Sequence, residues 1–137
     1  MTIHYCDADG KLQSTLQRRF FSVIDGIIGG EDNGPLAPTA KPAGCLIAGE
    51  DLYAVDMVTT RMMGLETTVL KQFSGGTVEH DLAAVRIVSD GREIDGEEFF
   101  DPFDRDPMLN FRPHPGWVGH LEIGCSSSTK VLLQETN

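Results

Sequence analysis

The sequence predicts a compact α/β domain: a small mixed sheet, one main helix packed on it, and an irregular proline-rich C-terminal arm wrapped around the outside. Three observations carry this. Two short apolar runs occupy residues 20–24 and 43–48, one well-marked helical pattern occupies residues 51–63, and four of the seven prolines fall within residues 97–117.

At 137 residues with 40% apolar content, the chain is the size of one ordinary domain and can form a real core. A single domain over residues 1–137 is expected, with residues 126–137 as a loosely ordered tail that is polar until Val131, Leu132 and Leu133. The apolar runs fall well short of the roughly 18 to 20 residues that span a bilayer, and the N-terminus lacks the basic start and apolar stretch of a signal peptide. A cytoplasmic protein is therefore expected. The formal charge of −10, with Lys and Arg scattered rather than gathered in a stripe, argues against nucleic acid and anionic membranes as partners. Cys6, Cys45 and Cys125 are odd in number and far apart, so they read as reduced thiols rather than zinc or iron–sulfur ligands.

Residues 1–19 show no sustained period. Asp7, Ala8, Asp9 and Gly10 resemble the opening of a calcium loop, but Gly10 is fourth rather than sixth and Arg18 stands where the closing glutamate belongs, so a turn is the better reading. Residues 20–24 combine aromatic and β-branched side chains, as a buried strand does, and end at Asp25 and Gly26. Residues 43–48 repeat the pattern. Between them, residues 26–42 are so rich in glycine and proline that a long irregular connection is expected, and long loops of this kind tend to carry binding function.

Asp51 is placed to cap the helix over residues 51–63, and Gly64 suits the position just past its end. Leu52, Val55, Val58, Met62 and Met63 share the broad face expected to pack on the sheet. Residues 67–73 predict a short helix, residues 83–88 a third strand, and Ser89 to Arg92 a turn. In the arm, Phe99, Phe100, Phe103, Phe111 and Trp117 are expected as aromatic anchors.

Chemistry concentrates between residues 25 and 56. Asp25 and Asp51 follow the two strands, where ligands gather in open α/β sheets; equally, Asp25 starts a turn and Asp51 caps a helix. Asp56 sits at the border of the apolar helix face, where an unpaired carboxylate is costly, so either a structural partner such as Arg61 or a polar site must satisfy it. The run Gly29, Gly30, Glu31, Asp32, Asn33, Gly34 could bring backbone amides close to an anion, with the acids holding a divalent cation; the other reading is a plain flexible loop. It has neither P-loop nor Rossmann spacing. His114 and His120 are a weaker pair of metal ligands, and Arg112 is suited to clamping a carboxylate. Cys45, in an apolar strand, reads as an inert core thiol.

With those residues in view, the chain resembles the C-terminal portion of the uncharacterised domain-of-unknown-function family 362. The stretches DGIIGGEDNGPLAPTAKPAGCLIAG, DLYAVDMVTTRMMGL and FRPHPGWVGHLE carry the resemblance, in that order, from about Gly10 to Glu122. Family members usually have Pro and Val after the helix-capping Asp, where this chain has Leu52 and Tyr53. Family members are similar to one another over a longer chain, of which this sequence resembles the C-terminal portion, so any site shared between the two portions would be incomplete here. Some relatives carry ferredoxin-like cysteine clusters, and with no such run here no iron–sulfur cluster is expected in this chain.

Two functions compete. The first is a ligand-binding portion of an enzyme-like domain, in which Asp25, Glu31, Asn33, Gly34, Asp51 and Asp56 surround a small anionic ligand or, through Asp25, Glu31 and Asp56, a divalent cation. The alternative is a non-catalytic interaction or assembly module, with a homo-oligomer as one form of it.

Overall fold

The computed structural model describes residues 5–74, 81–101 and 108–124. Phe103, Cys125 and the tail from Ser126, along with part of the expected arm, lie outside them.

Among the described residues, two antiparallel hairpins and one three-turn helix are the main elements. Strand β1 (Ser22–Asn33) pairs with β2 (Ala37–Gly49), and α1 (Leu52–Met62) follows directly. A 3-10 turn at Thr67–Val69 and the short α2 (Lys71–Ser74) come next. After a 3-10 turn at Leu82–Ala84, β3 (Arg86–Ser89) and β4 (Arg92–Asp95) form the second hairpin, closed by α3 (Gly96–Phe99). Among the described residues the strands thus form two separate two-stranded sheets.

The expected irregular connection over residues 26–42 is instead most of a long hairpin. Its glycines and prolines sit where a ladder tolerates them. Pro38 and Pro42 are four apart on β2, so both nitrogens face the same edge, away from the need for a ladder donor. Gly29 lies under the ring of Phe111: an added Cβ would stand 2.6 Å from Cζ, so only glycine admits the ring. Gly26 pairs with Cys45 and Ile28 with Pro42, which leaves two residues, Ala43 and Gly44, opposite Ile27. Gly44 takes φ +67°, the left-handed conformation that such a bulge favours glycine for.

The bulge reverses which side chains of β1 face inward. Ser22, Ile24 and Gly26 are half-buried before it; Gly29 and Glu31 point inward after it. Asp25 therefore sits on the outer face and Glu31 on the inner one.

Helix α1 forms as expected. The Asp51 carboxylate accepts from the backbone N–H groups of Tyr53 and Ala54, at 2.9 and 3.3 Å, and Gly64 closes the far end at φ +83°. Its apolar face supplies Val58 and Met62 to a core completed by Ile94 and Phe99, with Cys45, Ile47, Val85, Ile87, Phe100 and Leu109 packed around it. Burial of a large apolar side chain contributes up to about 1.5–3 kcal/mol, and Val58, Met62, Ile94 and Phe99 come near that limit. Val55 meets β2 at Gly49, where an added Cβ would stand 2.9 Å from its methyl group.

Residues 67–73 yield two short turns rather than one helix, and the third strand starts at Arg86 because Leu82–Ala84 winds as a 3-10 turn capped by Asp81. The turn at Asp90 and Gly91 takes φ +52° and +77°, the left-handed pair that joins tight hairpins. Asp7 organises its own turn, accepting from the N–H groups of Asp9 and Lys11. Phe99 is buried and meets Phe100 edge-on at 5.0 Å, and Phe111 packs on the hairpin. Trp117 does not anchor: it is 57% exposed, because it sits in a short 3-10 turn (Pro115–Trp117) held by its own local bonds.

Candidate functional site

The first distinctive place is the far half of the inner hairpin face, where residues 109–112 cross from the end of α1 to β1. Leu109 and Phe111 donate their N–H groups to the carbonyls of Met62 and Met63, which α1 leaves free at its C-terminus. Asp32 N–H donates to the Arg112 carbonyl at 3.0 Å, and Arg112 N–H donates to Glu31 Oε2, also at 3.0 Å. Lys41 Nζ donates to the Asn110 carbonyl at 2.9 Å and lies 5.4 Å from the centre of the Phe111 ring.

Charges close this crossing. Arg112 Nη2 is 2.6 Å from Glu31 Oε1 and 2.7 Å from Asp32 Oδ2, while Nε donates to Asp32 Oδ1 at 2.8 Å. Lys41 Nζ adds a 3.4 Å contact to Glu31 Oε2. Two carboxylates thus meet two cations. The Glu31 side chain is only 5% exposed, and a carboxylate so buried needs this pairing. The Arg112 hydrogen bonds, followed by one from Thr39, pull Asp32 down to about 2, and Asp32 in turn raises Arg112 further above its ordinary value. Arg112 does clamp a carboxylate, and that carboxylate belongs to the chain itself.

The remaining sequence candidates are spread out. Asp25 is exposed on the outer face and accepts from Ile27 N–H at 3.1 Å. It stands six residues from Glu31 along an extended strand, a separation of about 20 Å, and on the opposite face. Asp51 is occupied as the cap of α1. Asp56 is exposed on α1, so no burial cost arises for it; Arg61 pairs with Glu66 instead, at 3.8 Å. Asn33 and Gly34 are exposed at the hairpin turn. Gly29 and Gly30 lie in β1, where a Cβ would meet Phe111 and Pro38. His114 Nδ1 accepts from Gly116 N–H and caps the Pro115–Trp117 turn, and His120 is exposed. Nearby, the Glu122 carboxylate is lowered chiefly by the Gly119 N–H that it accepts. Among the described residues no three His, Cys, Asp or Glu side chains gather closely enough to hold a metal ion, and Cys6 and Cys45 are free thiols. No helix among them is long and apolar enough to cross a membrane.

The second distinctive place is the outer face of the same hairpin. Val23, Ile27, Ile28 and Leu46 stand 55–67% exposed there, with Ala40, Pro42 and Ala48 between them. Asp25 is the single charged side chain on β1 from Ser22 to Gly30, and the one charged residue of β2, Lys41, belongs to the inner face. Reading residues 26–42 as a loop hid this surface. The available signal was that both alternating sets of residues 43–48 are apolar, which is the mark of a strand with two faces to cover.

No curated protein and no solved structure matches the chain. The family described as Domain of unknown function (DUF362) matches residues 9–61, so the hairpin β1–β2 and nearly all of α1 fall within the similarity, while residues 109–112, which complete the first place, lie outside it.

Proposed function

We propose that this chain is a non-catalytic interaction module that works through the outer face of the β1–β2 hairpin. One observation carries the reading: four large aliphatic side chains, Val23, Ile27, Ile28 and Leu46, stand more than half exposed on one continuous sheet face. Exposed apolar patches beyond a few hundred Å² mark interaction surfaces in folded proteins. A sheet has two faces to bury, and here α1 covers only the inner one.

The other reading, a pocket for a small anion or a divalent cation, draws less support. Its proposed acids are engaged or apart: Glu31 and Asp32 are answered by Arg112 and Lys41, Asp51 caps a helix, and Asp25 and Asp56 lie on opposite sides of the hairpin. A thermal shift with magnesium or manganese that disappears in Asp56→Asn would restore it.

The test of the module reading is sedimentation velocity together with binding of a hydrophobic dye, on the wild type and on a Val23→Lys, Leu46→Lys double variant. Self-association or dye binding is expected in the wild type and is lost in the variant, with the fold unchanged. A monodisperse wild type that binds no dye would overturn the proposal.

A further inference from the structure

Resting on the interaction-module reading, we infer that the outer hairpin face receives a partner helix whose apolar side carries one lysine or arginine placed to meet Asp25. Three features of the hairpin select this occupant.

The outer edge of β2 and the far end of β1 disfavour an added strand. Pro38 and Pro42 remove N–H donors from one edge of β2, and at the far end of β1 the Asp32 N–H already donates to the Arg112 carbonyl. A helix laid across the face needs no ladder donors. Its length is set by the surface: Val23 to Gly30 spans about 25 Å of strand, which a helix of roughly 17 residues covers.

The charge disfavours a second copy. Asp25 stands among Val23, Ile27 and Leu46, and Leu46 is its direct cross-strand neighbour. Stacking two such faces would cover both Asp25 carboxylates with apolar side chains, and a second copy of these faces offers no cation to either. The chains themselves carry −10 each, which adds repulsion at long range. A partner with one basic side chain at this point turns the same carboxylate from a penalty into a register mark. The Ile27 N–H that Asp25 accepts leaves room for a second donor, since a carboxylate takes several.

The probes are two fluorescein-labelled 18-residue amphipathic helices of leucine, alanine and glutamine. One has a single central lysine on its apolar side and the other a glutamate there. Anisotropy titrations at 0.1 M salt are expected to show the lysine peptide binding the wild-type chain at least tenfold more tightly than the glutamate peptide. Asp25→Asn, which keeps the acceptor for Ile27 N–H and loses only the charge, should bring the two affinities together. Asp25→Lys should reverse their order, and Leu46→Lys should abolish both.

Equal affinities for wild type, or a preference that survives Asp25→Asn, overturn the basic-helix inference; if Leu46→Lys still abolishes binding, the module reading stands. Self-association of the wild type that Leu46→Lys removes also overturns the inference, in favour of a second copy, and again leaves the module reading in place. No binding of either peptide, with no effect of Leu46→Lys on any measurement, overturns both.

Discussion

Replacing Gly29 with alanine puts a methyl group where the edge of the Phe111 ring now lies. An ideal Cβ at residue 29 would stand 2.6 Å from Cζ and 2.7 Å from Cε1, whereas ordinary contact begins at 3.4 Å. The ring must retreat by 3.4 − 2.6 = 0.8 Å. It has little freedom to do so, because the Phe111 N–H is tied to the Met63 carbonyl at 2.8 Å and the next residue is Arg112, bound to Glu31 and Asp32. The strain falls in the range of overpacked cores, about 1–3 kcal/mol. Equilibrium urea unfolding is the assay, with Gly116→Ala as the control, since its nearest neighbour lies at an ordinary 3.4 Å. The reasoning also requires coupling: in a Phe111→Ala background, Gly29→Ala should cost less than about 0.5 kcal/mol. An undiminished cost in that background, or a loss below about 0.5 kcal/mol in the wild type, would refute the account of Gly29.

Other expectations follow from the same contacts. Asp32 has a folded pKa of about 2 against an ordinary 3.8, so its contribution to stability is full above about pH 4 and is lost as the pH falls towards 2; acid unfolding of Asp32→Asn should lack that part of the slope. Asp51→Ala removes the acceptor for two amides and should cost about 1 kcal/mol, read by urea unfolding, while Asp51→Asn recovers most of it. Asp56→Asn, on an exposed helix position, should stay within about 0.5 kcal/mol of wild type in the same assay. Glu31→Ala leaves the Arg112 N–H without its acceptor in a half-buried setting and should destabilise by about 1–3 kcal/mol, with Glu31→Gln milder.

How much of this was legible in the sequence depends on the range of the interactions involved. The helix α1 could be read almost to the residue, because Asp51, the apolar spacing and Gly64 act within one or two turns of chain. The turn at Asp90 and Gly91 was legible for the same reason. The hairpin was not. Its strands pair residues as distant as Ser22 and Gly49, and local breaker chemistry at Gly29, Gly30, Pro38 and Pro42 pointed to a loop. Those residues only make sense once Phe111 and a free sheet edge are in place.

The candidate site shows the same division. Sequence alone determined that carboxylates crowd residues 25–56 and that Arg112 suits a carboxylate, since both are matters of composition and side-chain chemistry. Tertiary structure decided which acid meets which base. A one-residue bulge at Ala43 and Gly44 turned Asp25 outward and Glu31 inward, and a crossing 80 residues later in the chain brought Arg112 onto Asp32. Strand alternation is binary, so a single inserted residue reassigns every face beyond it, and the bulge that does so depends on pairing with a strand that local sequence does not see.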